Sequence, residues 1–165
     1  MEIRKALPSD ALGIAIVNVY TWKMRYSGLI PEKIIDARIY QLEQKAEVIR
    51  KKIEKGEDYL VALVEETIVG FCAYGACEDV TYTDFGEIKA IYILDGFQNR
   101  TIGKQLLKKA QDLLKLQGYN RIVINCLKHN PSANFYRHMG GKLIGNRQDD
   151  YNGYLIEEDI FLFES

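Results

Sequence analysis

Cysteine, proline and an excess of basic charge are all scarce in this chain, and each scarcity excludes something. The three cysteines, Cys72, Cys77 and Cys126, lack the paired spacing of a metal site and argue against a disulfide framework. They fit a reducing compartment, where a thiol behaves as a small buried hydrophobe. The three prolines punctuate the chain without forming a low-complexity linker, and no internal repeat is visible. The formal net charge is −1, so the basic footprint of a protein that neutralises a phosphate polymer is missing and nucleic acid is not an expected partner. Apolar runs such as LGIAIVNVY, residues 12–20, are too short to span a bilayer. The N-terminal MEIRKALPSD has charges where a secretory signal needs an apolar core. These absences predict a cytoplasmic protein with no membrane partner and no metal.

What is present is enough for a core. The chain has 165 residues, 47% of them hydrophobic and 27% charged, which is expected to form one domain over 1–165. A chain of this size buries roughly 70% of its unfolded surface. A short strand over 2–6 is followed by turn and cap chemistry at Pro8, Ser9 and Asp10 and a helix to about Trp22, with Leu12, Ile16 and Val19 on its buried side. Ile39, Leu42, Ala46, Ile49 and Ile53 recur at helical spacing until Gly56 ends a second helix. The stretch 43–58 carries five basic and five acidic residues, a balance that reads as a solvated helix face. The β-rich runs 58–66 and 68–76 read as a hairpin. Strands over 86–94 and 121–127, joined by a helix over 101–117, make a parallel β-α-β crossover. A short helix over 132–139 and two strands, 142–147 and 154–163, complete the chain.

The segment GFQNRTIGKQLLKKA, residues 96–110, turns from strand to helix through Gln98 to Lys104. A helix start carries unpaired amides and about half a positive charge, so a close loop there can cradle phosphate. It is neither a P-loop, since Gln98 and Gln105 stand where that motif needs glycine and Ser or Thr, nor a dinucleotide fingerprint, since Gly96 and Gly103 are its only glycines. On these residues alone an ordinary helix start is equally open.

The run Gln98-Asn99-Arg100-Thr101-Ile102-Gly103 resembles the Q/R-x-x-G-x-G/A signature of the GNAT superfamily of N-acetyltransferases. Together with GEIKAIYIL before it, the leucine-rich helix after it and HNPSANFYRHMGGKLIG later, the resemblance covers about residues 59–145. It implies an α/β (α+β) GNAT-like fold: a central mixed, mostly antiparallel sheet of about six or seven strands flanked by helices. It implies acetyl transfer from acetyl-coenzyme A to a primary amine by direct attack in a ternary complex. The pyrophosphate would lie on the loop residues Gln98, Asn99, Arg100, Thr101, Ile102, Gly103 and Lys104, and the thioester arm beside Ile91, Tyr92 and Ile93. Asn130 and Ala133 would meet the pantetheine. Glu87 corresponds to the carboxylate that takes the ammonium proton, and Tyr136 to the phenol that protonates the leaving thiolate. Outside the resemblance, Glu87 reads equally as a charge at a strand end and Asn130 as an Asn-Pro helix start.

This sequence departs from the signature at Thr101, where the family has its first glycine; a β-branched residue fits there only at negative φ, as in a helix first turn. Trp22, Tyr26 and Tyr151 are candidate acceptor-site residues for which core packing is the competing reading. His129 and His138 lack spaced partners and read as surface or packing residues. Acidic residues in 149–160 suit a cationic acceptor such as a polyamine; a peptide amine and a homodimer stay open. A non-catalytic acyl-coenzyme A sensor on the same fold is the rival reading.

Overall fold

The computed structural model describes residues 1–98, 101–151 and 153–164. In chain order the elements are β1 (Glu2–Lys5), α1 (Ala11–Tyr26), α2 (Glu32–Tyr40), α3 (Leu42–Glu54), β2 (Asp58–Val64), β3 (Thr67–Ala76), β4 (Gly86–Ile93), α4 (Ile102–Leu116), β5 (Arg121–Leu127), α5 (Ser132–His138), β6 (Lys142–Tyr151) and β7 (Tyr154–Glu164). The strands form a seven-stranded, mostly antiparallel sheet in the order β1-β2-β3-β4-β5-β7-β6. The expected crossover is present: β4 and β5 pair in parallel, with Gly86, Glu87 and Ile88 opposite Ile122, Val123 and Ile124. By its contacts the chain divides into two compact units, the first Met1–Tyr74 with Ala90–Ala110, the second Gly75–Lys89 with Gln111–Ser165. No helix among the described residues is long and apolar enough to cross a membrane.

The first unit is built on the β1-β2-β3 meander. Ile14, Ala15 and Val17 of α1 and Ile49 of α3 pack with Tyr59, Val61, Phe71 and Ala73 of the hairpin. Arg4 on β1 grips the Asp10 carboxylate at 2.7 and 3.1 Å, and the same carboxylate accepts the Leu7 amide at 2.7 Å, which fixes the turn into α1. Two expectations change here. Leu12 is 51% exposed and Ile16 half-buried, because α1 turns Ile14 and Val17 inward together with the expected Val19. The helix expected to run to Gly56 is two helices, broken at Gln41 (φ −96°, ψ 17°), where no proline or glycine marks the break. On α3 the apolar stripe Leu42, Ala46, Ile49 and Ile53 faces the core, and the charges pair along the helix, Arg50 with Glu47 and Glu54.

In the second unit β5 pairs with β7, and Ile122, Val123, Ile124 and Leu127 of β5, Ile156, Ile160, Phe161 and Phe163 of β7 and Leu114 of α4 are all buried. Gly141 is required by close approach: a Cβ there would sit 2.8 Å from the Tyr136 carbonyl and 2.9 Å from the Phe163 ring. β6 runs four residues further than its sequence pattern predicts, pairing with β7 out to Tyr151 opposite Tyr154.

Candidate active site

In the first unit, β4 ends at Ile93 and the chain turns toward α4. Gln98 donates its side-chain amide to the Ile93 carbonyl at 3.0 Å, tying the loop back to the strand it left. Asn99 and Arg100 lie outside the described residues. α4 begins at Ile102, and the Gln105 amide donates to the Thr101 carbonyl at 3.0 Å. Ile102, Gly103 and Lys104 form its first turn, and the amides of a helix first turn are the groups an anion can use. Ile102 is buried and anchors this turn, while Thr101 and Lys104 are exposed. At Thr101 the structure overturns the expectation of negative φ: its φ is +64°. A β-branched side chain is strained there, so the position keeps the backbone shape for which glycine is suited. Gln105 donates its side-chain amide to the Thr101 hydroxyl at 3.0 Å.

Ile91, Tyr92 and Ile93 are half-buried on β4. Gly70 on β3 lets this strand come close, since a Cβ there would stand 3.2 Å from the Tyr92 carbonyl. The Tyr92 hydroxyl accepts the Trp22 indole N–H at 3.3 Å and lies 3.4 Å from the Tyr26 hydroxyl. Trp22 and Tyr26 meet edge to face at 4.6 Å between ring centres, and the Arg38 guanidinium covers the Trp22 ring at 3.8 Å. The structure thus brings Trp22 and Tyr26 together, 5% and 7% exposed, in a polar-tipped aromatic cluster around Tyr92.

In the second unit, Glu87 is half-buried on β4 beside Val123. Burial pushes its carboxyl above the ordinary carboxylate value; a hydrogen bond from the Cys77 thiol and the charges of Lys89 and Arg147 oppose that, and Glu78 adds to it. Glu158 on β7 is raised in the same way, first by burial, then by Asp149 and Glu87, with Arg147 opposing. Arg147 is the hub, with nitrogens 3.6 Å from Asp79, 3.8 Å from Asp149 and 3.8 Å from Glu158. Arg147 was not singled out from the sequence, and Glu158 was named only within the acidic stretch 149–160. One signal was present: Glu158 stands between Ile156 and Ile160 on the inward side of β7's alternation, where a charge is out of pattern. Cys77 also differs from the buried Cys72 and Cys126 in being half-buried.

Tyr136 on α5 is 7% exposed, its ring 6.0 Å from that of Phe161. Asn130 is buried, with its side-chain oxygen accepting the Ser132 amide at 3.0 Å and its carbonyl accepting the Ala133 amide at 3.1 Å, so it starts α5. Ala133 sits half-buried in the first turn of α5. Tyr151 is half-buried at the end of β6, and both histidines are exposed.

The model of the Acetyltransferase (GNAT) family matches residues 18–140, well over half of the chain. The chain belongs to the GNAT acetyltransferase family. This GNAT acetyltransferase is 27% identical over 160 residues to an uncharacterized N-acetyltransferase, YuaI, of Bacillus subtilis, covering 96% of this chain and 90% of that one. It is 26% identical over 122 residues to the spermidine N(1)-acetyltransferase of Thermoplasma acidophilum, covering 72% and 73%. Among solved structures, the PaiA N-acetyltransferase of Thermoplasma acidophilum in complex with coenzyme A matches at a TM-score of 0.74 and 21% identity, covering 99% and 98%. A ribosomal-protein-alanine N-acetyltransferase of Brucella melitensis matches at 0.71 and 17%, covering the whole of both chains. At these identities the solved structures establish the GNAT fold.

Proposed function

We propose that the protein moves an acetyl group from acetyl-coenzyme A to a primary amine by direct attack in a ternary complex, within one domain over 1–165. The observation that supports this most is the loop from Ile93 to α4. Gln98 holds the turn to the strand end, the Thr101 backbone takes the left-handed shape, and Ile102, Gly103 and Lys104 form the first turn of α4. Those groups fit a pyrophosphate, with Asn99 and Arg100 completing the segment. The coenzyme would supply the acetyl thioester and a thiolate leaving group. The backbone of Ile91, Tyr92 and Ile93 would hold the pantetheine arm as an added strand, assisted by Asn130 and Ala133.

Glu87 would accept the proton of the incoming ammonium, a role that its half-burial suits because a carboxyl raised above its ordinary value is a better base near neutrality. Tyr136 would donate to the thiolate. The half-buried carboxylates of Glu87 and Glu158 favour a cationic acceptor, as does similarity to a spermidine N(1)-acetyltransferase. Trp22, Tyr26 and Tyr151 would shape the acceptor side.

The test is binding followed by an amine panel. Acetyl-coenzyme A and coenzyme A at about a hundredfold excess over Kd should each add roughly 2.7 kcal/mol, a melting shift of roughly 5–10 °C, with adenosine far weaker. Gly103→Asp should abolish the shift while keeping its own cooperative melt, because it puts bulk and negative charge where phosphates approach. No shift at millimolar coenzyme, or no acetylation of any diamine, polyamine or peptide amine, sinks the reading.

A further inference from the structure

β1 ends the strand order, so one of its two sides has no strand of the sheet beside it. On the other side it pairs with β2, Glu2 opposite Leu63, Ile3 opposite Ala62, Arg4 opposite Val61 and Lys5 opposite Leu60. The following residue, Ala6, donates its amide to the Tyr59 carbonyl at 2.9 Å. Backbone groups alternate in direction along an antiparallel strand, so Arg4 and Glu2, two and four residues earlier, also turn theirs to β2. Ile3 and Lys5 therefore turn theirs outward. A row of such groups on an edge strand is a template for pairing with another chain.

Both outward carbonyls carry a cation. The Lys109 ammonium of α4 donates to the Ile3 carbonyl at 3.2 Å, and the Arg4 guanidinium donates to the Lys5 carbonyl at 3.0 Å. We propose that Lys109 and Arg4 close the edge of β1 against strand addition by a second copy of this chain. An incoming strand would have to offer its amides to these same two carbonyls, displacing an ammonium and a guanidinium whose hydrogen bonds are charge-assisted and stronger than an amide's. The donors are placed to stay. Arg4 is gripped by the Asp10 carboxylate, and Lys109 is carried on a helix held by the buried Leu106, Leu107 and Ala110 beside it. The side chains of β1 add to the guard, since Glu2, Arg4 and Lys5 make three of its four residues charged. All of these groups belong to the first unit, and the guard does not depend on the acetyl-transfer reading.

Lys109 is the donor to remove, because it is exposed, whereas Arg4 also fixes the turn into α1. The measurement is sedimentation velocity of the full chain over a range of protein concentrations. Lys109→Met keeps the length of the side chain and loses the ammonium; it should tighten self-association on the order of tenfold, the factor carried by one hydrogen bond to a charged group. Lys108→Met makes the same change of charge and hydropathy at the exposed neighbouring position and should sediment like the wild type. Adding Lys5→Pro to Lys109→Met should restore the wild-type behaviour, since the Lys5 amide points outward and proline removes that donor without taking a bond from the ladder with β2. Self-association of Lys109→Met no tighter than that of Lys108→Met overturns the capping role. Association that survives Lys5→Pro overturns β1 as the surface that the cap protects.

Discussion

Gln105 reaches back one turn of α4 and donates to the Thr101 hydroxyl at 3.0 Å, bracing a β-branched residue whose φ is +64°. Placing a non-glycine residue in the left-handed region costs roughly 1–2 kcal/mol, and glycine returns part of that through its freer unfolded chain. Thr101→Gly should therefore raise stability by about 1 kcal/mol, seen as a melting temperature higher by roughly 2–4 °C. A melting temperature unchanged or lower would mean that the Gln105 brace outweighs the strain. Coenzyme affinity of the same variant, measured by calorimetry, should be equal or tighter, because the backbone already has the shape that glycine prefers.

A second strained turn tests the same physics away from the site. Val64 pairs with Thr67, leaving Glu65 and Glu66 as the two turn residues at φ of 49° and 66°. Positive φ at both positions marks the hairpin turn that favours Asn-Gly. The double substitution E65N/E66G should stabilise the protein by about 1–2 kcal/mol in urea unfolding with an unchanged m-value. Acetyl transfer should not change.

Asp10 gives the acid dependence of the first unit. The Arg4 guanidinium first, and the Leu7 amide after it, hold its carboxyl below the usual carboxylate value despite burial. A group depressed in the folded state contributes stability above its unfolded value, near about pH 4, and loses it as pH falls through the folded value. Asp10→Asn should cost about 2 kcal/mol at pH 7, and the gap between the two proteins should close as the pH falls through the depressed folded value. A gap that persists undiminished in acid would show that the charge on Asp10 is not what stabilises the turn.

Glu87 and Tyr136 should separate on the pH axis. Burial first raises the Glu87 carboxyl, so the acid limb of kcat should lie above the ordinary carboxylate value. Glu87→Gln should lose activity at pH 7 and recover part of it by pH 9, where solvent deprotonates more of an amine whose pKa is near about 10. Tyr136→Phe should stay impaired across that range by about 10², since alkali does not replace a proton donor. Flat, fully active profiles for both variants would remove both roles and leave the coenzyme loop untouched.

The order of elements, the β4-α4-β5 crossover and the helix start that follows β4 were legible in the sequence because they depend on neighbours a few residues apart. Apolar spacing marks α4, two adjoining β-rich runs mark the β2-β3 hairpin though not its turn at Glu65 and Glu66, and Gln98 to Gly103 is a contiguous motif. The positive φ at Thr101 is a property of the folded loop, where Gln105 braces the Thr101 hydroxyl, and the local preference of threonine does not select it. The break between α2 and α3 at Gln41 likewise follows from packing, with no glycine or proline to announce it. The surroundings of Glu87 were decided by strand register. Arg147 and Glu158 stand opposite each other only because β6 and β7 pair as they do. Sequence spacing carries the helix and the turn, whereas a pairing between residues far apart along the chain exists only once the sheet has set which side chains share a face.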